Sequence, residues 1–110
     1  MAKKRWDHTK EERKLIKIFG GIPKRKYGYD GTIRGKPVEV RSQRKDNRFR
    51  IQKNVHQYLV RKNGNYIFNC PNKRPIKVSA KTVSKKLGKG KWFKDRKYPH
   101  KFITSKQIFG

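Results

Sequence analysis

Cations crowd this sequence: Lys and Arg supply 33 of its 110 residues against 7 Asp and Glu, a formal charge of +26. A compact chain of that charge repels itself unless a polyanion neutralises it, which makes nucleic acid the leading partner. Hydrophobic residues reach only 32%, below the roughly 45–50% of an ordinary domain, a benchmark that also counts Gly. The core must therefore be small. Full disorder is nevertheless disfavoured, because 12% of the chain is aromatic and Ile, Val and Leu accompany those rings. A chain of this length fits one domain and excludes a multidomain enzyme. Its single cysteine, Cys70, rules out an intramolecular disulfide and a Cys-rich zinc knuckle, so a cytoplasmic, nucleoid-associated location is expected. No apolar run approaches the roughly 18–20 residues of a membrane span. Trp6, Asp7 and His8 stand where a signal peptide would place its apolar stretch.

The pattern along the chain predicts a basic arm over 1–7, an α/β domain over 8–87 and a basic, aromatic extension over 88–110 that packs on the same domain. Leu15, Ile16, Ile18 and Phe19 suit a short amphipathic helix over 8–19, with Thr9 and Glu12 as a capping box and Gly20-Gly21 as its stop. Tyr29, Ile33, Val38 and Val40 recur at strand spacing around Arg34-Gly35-Lys36, which predicts a hairpin with strands over 28–34 and 37–43. Alternation then places Val38 and Val40 on one face, and Glu39 and Arg41 on the other. Residues 44–50 read as a basic loop, and Ile51, Val55, Tyr58 and Leu59 as the apolar face of a second helix ended by Asn63-Gly64-Asn65. Strands are expected at 66–69 and 76–78, followed by a helix capped by Ser79 and running to Leu87.

Acids are rare enough that each has to be accounted for: Asp7, Glu11, Glu12, Asp30, Glu39, Asp46 and Asp95. Asp30 and Glu39 fall on neighbouring strands of the hairpin, where two carboxylates come within reach of one hard cation. Magnesium suits such a pair, since it takes oxygen ligands from one or two carboxylates plus water and phosphate. A metal there activates water and stabilises charge on phosphate. Arg41 shares the face of Glu39 and is placed to clamp a phosphate. The plainer alternative is that Asp30 starts a turn with Gly31 and Glu39 offsets neighbouring cations.

The order of these pieces resembles a known family. A helix with Glu12-Arg13-Lys14-Leu15-Ile16-Lys17-Ile18, then Tyr29-Asp30-Gly31, Val38-Glu39-Val40-Arg41, Lys45-Asp46, a helix and a strand at Tyr66 are similar to the restriction-endonuclease-like superfamily with the PD-(D/E)xK motif. Within it, the archaeal Holliday-junction resolvases look closest. The likeness spans residues 8–70. It implies a small central mixed sheet flanked by helices, an acidic site of Glu12, Asp30 and Glu39 holding Mg2+ or Mn2+, Arg41 at the lysine position, and a homodimer acting on branched or duplex DNA. Arginine cannot deprotonate near neutral pH, so Arg41 is expected to stabilise charge and not to act as a base. That departure also leaves room for a relative that binds without cutting.

Lys24, Arg25, Lys26, Arg44, Lys45, Arg48 and Arg50 flank the expected site, and Lys89 and Lys91 belong to a cationic C-terminal third. Cations of this kind hold a duplex by its phosphates, fixing position without reading sequence. Trp92, Phe93, Tyr98 and Phe102 lie among cations, where base stacking competes with a core role, and the core role is favoured. His8, His56 and His100 have no ligand spacing and read as structural. Two functions stay open: a structure-selective, metal-dependent DNA endonuclease, and a non-catalytic basic protein that coats DNA or associates with ribosomes.

Overall fold

The computed structural model describes residues 8–26, 29–95 and 98–110, without the side chains of His8, Thr9, Arg25, Lys26, Asp95 and Tyr98. The expected arm over 1–7, together with Tyr27, Arg96 and Lys97, lies outside the described residues. In chain order the elements are α1 (His8–Ile18), β1 (Ile22–Lys26), β2 (Tyr29–Ile33), β3 (Lys36–Ser42), β4 (Arg48–Gln52), α2 (Lys53–Arg61), β5 (Asn65–Asn69), β6 (Ile76–Ser79), α3 (Ala80–Leu87), β7 (Phe93–Asp95), β8 (Tyr98–Thr104) and α4 (Ser105–Phe109).

Local chemistry explains most of these boundaries. Helix α1 ends in a Schellman motif: Gly20, at φ 79°, occupies the left-handed position, Gly20 N donates to Lys17 O and Gly21 N to Ile16 O. Because α1 starts at His8, Thr9 lies inside the helix and not at its cap. The hairpin closes through a two-residue turn, with Ile33 opposite Lys36 and both Arg34 (φ 52°) and Gly35 (φ 79°) left-handed. Such a turn matches the right-handed twist of its strands. Ser79 Oγ accepts from Thr82 N and caps α3, as expected.

Five strands make a mixed sheet in the order β1-β2-β3-β5-β6, in which only β3 and β5 run parallel. Parallel neighbours need a long crossover, and the segment carrying β4 and α2 supplies it. Helix α1 covers one face, where Leu15, Ile16, Ile33, Val38, Val40 and Ile67 are buried together. The other face carries the larger core, including Phe49, Leu59, Tyr66, Phe68, Val83 and Ile103. A second sheet, β4-β8-β7, belongs to that side.

Two expectations are corrected. Residues 48–52 form a strand and not part of a basic loop, because Phe49 and Ile51 alternate inward while Arg48 and Arg50 stay half-buried. Ile51 accordingly belongs to β4, and α2 starts only at Lys53. Beyond residue 88, where the sequence shows little periodicity, β8 pairs along its length with β4 and buries Ile103 completely.

Candidate functional site

Strand register decides which acids meet. The β2–β3 pairing includes Gly31 opposite Val38, so the next step places Asp30 across from Glu39. Like charges directly opposite one another destabilise a sheet. The chain accommodates them in two ways. Asp30 Oδ2 accepts from Val40 N at 2.9 Å, which fixes its carboxylate against the β3 backbone. Glu39 keeps its proton and donates to Asp30, its pKa raised from 4.5 to about 8, chiefly by burial and then by the Asp30 charge. Only 9% of Glu39 is exposed.

Arg41 tempers that shift without cancelling it. Its Nη1 lies 3.3 Å from Glu39 Oε2, yet its Nε is buried with no acceptor among the described residues. Glu12, half-buried on α1, adds a weaker repulsion to Glu39. Gly31 makes that approach possible, since a Cβ there would meet Ile22 O at 2.6 Å and Ile16 Cδ1 at 2.9 Å. Ile16 is one turn beyond Glu12 on the same helix face, so the seating of α1 against Gly31 brings Glu12 towards the pair. Glu12, Asp30, Glu39 and Arg41 thus share one neighbourhood. Among the described residues no three His, Cys, Asp or Glu side chains close round one metal position. Asp30 and Glu39 are the intimate pair.

The cations divide into tethered and open groups. Arg48 donates twice to Asp46 Oδ2, at 2.9 Å from Nε and 2.6 Å from Nη2, and Arg44 Nε stands 3.8 Å from Oδ1. The Arg48 hydrogen bond, foremost, holds the Asp46 carboxyl below its ordinary range. The Arg48 guanidinium also lies over the Phe102 ring at 3.9 Å. Lys24, Lys45, Lys89 and Lys91 are exposed, and Arg50 is half-buried. The side chains of Arg25 and Lys26 lie outside the described residues.

Besides Glu39 and His100, two polar side chains are buried among the described residues. His56 sits between Tyr66 OH, 2.9 Å from Nδ1, and Ser84 Oγ, 2.6 Å from Nε2. Burial, with help from the Lys101 charge, lowers its pKa to about 4, so the ring is neutral, with one nitrogen donating and the other accepting. This bears on the expectation of a structural His56: the ring spans α2, β5 and α3. Lys101 is the other, only 7% exposed. Trp92 packs against the larger core, whereas Phe93 is 64% exposed, so the favoured core role holds for one aromatic and not for the other.

Among the described residues no helix is long and apolar enough to cross a membrane. No protein-family model matches the chain, and neither a curated protein nor a solved structure matches it.

Proposed function

We propose that the chain is a metal-dependent DNA endonuclease of the restriction-endonuclease-like kind, selective for branched structure in the manner of a Holliday-junction resolvase. The observation that carries this reading is the pairing of buried Glu39 with half-buried Asp30, with Glu12 nearby, in a chain of net charge +26. A chain short of acids has set two of them against each other in a sheet, where a divalent cation relieves their repulsion. The element order supports the same reading: a helix, an acid-bearing hairpin, Glu-x-Arg, a second helix and a strand parallel to the third.

The donor set fits a magnesium or manganese ion bound by two carboxylates with water completing its coordination. Asp30 and Glu39 would hold it, and Glu12 would deepen the negative potential. When bound, such an ion polarises phosphate oxygen and acidifies water. The remaining work falls to the chain. Val40 N orients the Asp30 carboxylate. Glu39 would have to lose its proton to solvent to serve as a ligand, so metal affinity would rise with pH. Arg41, its side chain partly exposed and its Nη1 already beside Glu39, offers guanidinium donors to a phosphate oxygen and stabilises the charge that develops there. Exposed Lys24 and Lys45 hold the duplex by its backbone, and a second copy of the chain would present a second site to a four-way junction.

A second reading has its own observation: Arg41 stands where the motif has lysine and is engaged with Glu39, which suits a basic DNA-coating or ribosome-associated protein that does not cut. Cleavage of a labelled four-way junction and a matched linear duplex, with magnesium, manganese or EDTA, separates the two. Metal-dependent cutting that disappears in Asp30→Asn and Glu39→Gln establishes the nuclease. Tight binding with no cutting in either metal establishes the binding protein.

A further inference from the structure

A cavity of about 480 Å³ opens between the end of α3 and the second sheet, lined by Arg48, Leu87, Gly90, Lys91, Phe93, Lys101 and Phe102. Its size falls within the roughly 300–1,000 Å³ of small-ligand sites. Two features of its wall ask for a ligand. Lys101, 7% exposed as a residue, donates from Nζ to Gly88 O at 3.2 Å and faces the Trp92 ring at 5.0 Å. No described carboxylate pairs with it. A cation without a described counter-charge attracts an anion, and the cavity that Lys101 lines gives an anion room to approach. Phe93 is the second: a large apolar ring, 64% exposed, at the mouth of the same cavity.

The same cavity wall also carries planar surfaces. Arg48 lies over Phe102 at 3.9 Å and is held in that plane by its two bonds to Asp46. Guanidinium planes and phenyl rings are the surfaces on which unstacked bases rest. Lys91, exposed at the rim, adds a second cation to Lys101. Aromatic faces beside paired cations match a flat heterocycle that carries a phosphate.

We infer that this cavity receives an unpaired nucleotide of a nucleic-acid strand, its base against Phe93 and the Arg48–Phe102 stack and its phosphate on Lys101 and Lys91. The inference shares with the proposed function only the premise that the polyanion is nucleic acid. It requires no metal and no cleavage. A paired base inside a duplex cannot enter, so the cavity distinguishes single strands, ends and junction-released nucleotides from continuous duplex.

The test is binding measured in EDTA by fluorescence anisotropy, with a labelled oligothymidylate, an abasic oligomer of equal phosphate number and a blunt duplex. Wild type should favour oligothymidylate over the abasic strand. Phe93→Ala, at an exposed ring, should weaken oligothymidylate binding about tenfold, the scale of one lost stack, and leave duplex binding unchanged. Lys101→Met should reduce oligothymidylate affinity with an unaltered circular dichroism spectrum. Free thymidine monophosphate, which shares base and phosphate, should displace the oligomer only weakly, because the strand's other phosphates add contacts. Equal affinity for abasic and base-bearing strands, or equal losses on duplex and single strand in Phe93→Ala, overturns the inference. Monophosphate that binds as tightly as the oligomer overturns the assignment to a strand. Failure of every probe to bind instead removes the nucleic-acid premise itself.

Discussion

The hairpin of β2 and β3 and the second sheet around β8 handle buried charge in opposite senses. At the hairpin, Glu39 is buried beside another acid and keeps a proton up to about pH 8. Around β8, Lys101 is buried beside a carbonyl and an indole, with no described acid in attendance. Between them in sequence, Asp46 sits exposed and is neutralised by Arg44 and Arg48. The contrast shows where the fold leaves buried charge uncompensated. The chain satisfies the exposed acid Asp46 internally, and leaves one buried site short of positive charge and the other short of negative charge.

The largest effect should come from the hairpin. Unfolded, Glu39 releases its proton near 4.5; folded, it holds it to about 8. The native state therefore binds more protons across that window, and stability falls as pH rises through it. Glu39→Gln, which mimics the protonated form, should remove that decline in urea titrations at a series of pH values; on the proposed nuclease reading it should also cut cleavage by more than about 100-fold, because it would remove a carboxylate from the metal site. A pH dependence identical to wild type would mean that Glu39 is not the group that titrates.

A second perturbation separates Glu12 from the pair. Gly31→Val drives a side chain into Ile22 O and Ile16, and overpacking of this kind should cost about 2 kcal/mol, read as a lower urea midpoint. The Glu39 pKa should fall as α1 and its Glu12 move away, measurable by NMR titration.

Acid tests the other region. His56 is neutral when folded, with a pKa near 4, and protonates near 6.5 when unfolded. Its contribution to stability is complete above 6.5 and is lost as pH falls towards 4. Lys101→Met should raise the His56 pKa, because the ammonium is the second cause of its depression after burial. An unchanged histidine titration would uncouple the two. The smallest effect belongs to Asp46→Asn. Exposed ion pairs contribute little, so the unfolding midpoint should barely move, and a large shift would show that the Arg48–Phe102 stack depends on that carboxylate.

The hairpin was legible because its signals are local: a Gly at the turn, Val38 and Val40 alternating with Glu39 and Arg41, and the two acids placed by register. Strand β4 was hidden for the opposite reason. Its Arg48-Phe49-Arg50-Ile51 alternation is present, but the strand that confirms it, β8, is far along the chain, and the cations around it read as loop. Strand β1 offers only Ile22 and Pro23 before three cations, so its pairing with β2 could not be read from pattern. No periodicity reveals that Lys101 is buried, since a lysine beside aromatics reads as surface until the packing is known. The cap at Ser79 and the helix stop at Gly20 were legible because a single side chain or a single φ angle decides each.

The pairing of β4 with β8 also sets an order of events. The larger core encloses Ile103, so it cannot close until nearly all of this sequence has been synthesised and β8 has reached back to β4. Contacts so distant in sequence form slowly. The smaller core, built from residues 15–67, needs no β8, but through that interval the larger core stays open in a polycation at the ribosome surface, where RNA is the nearest polyanion. Its folding is thus a competition between its own last strand and its surroundings.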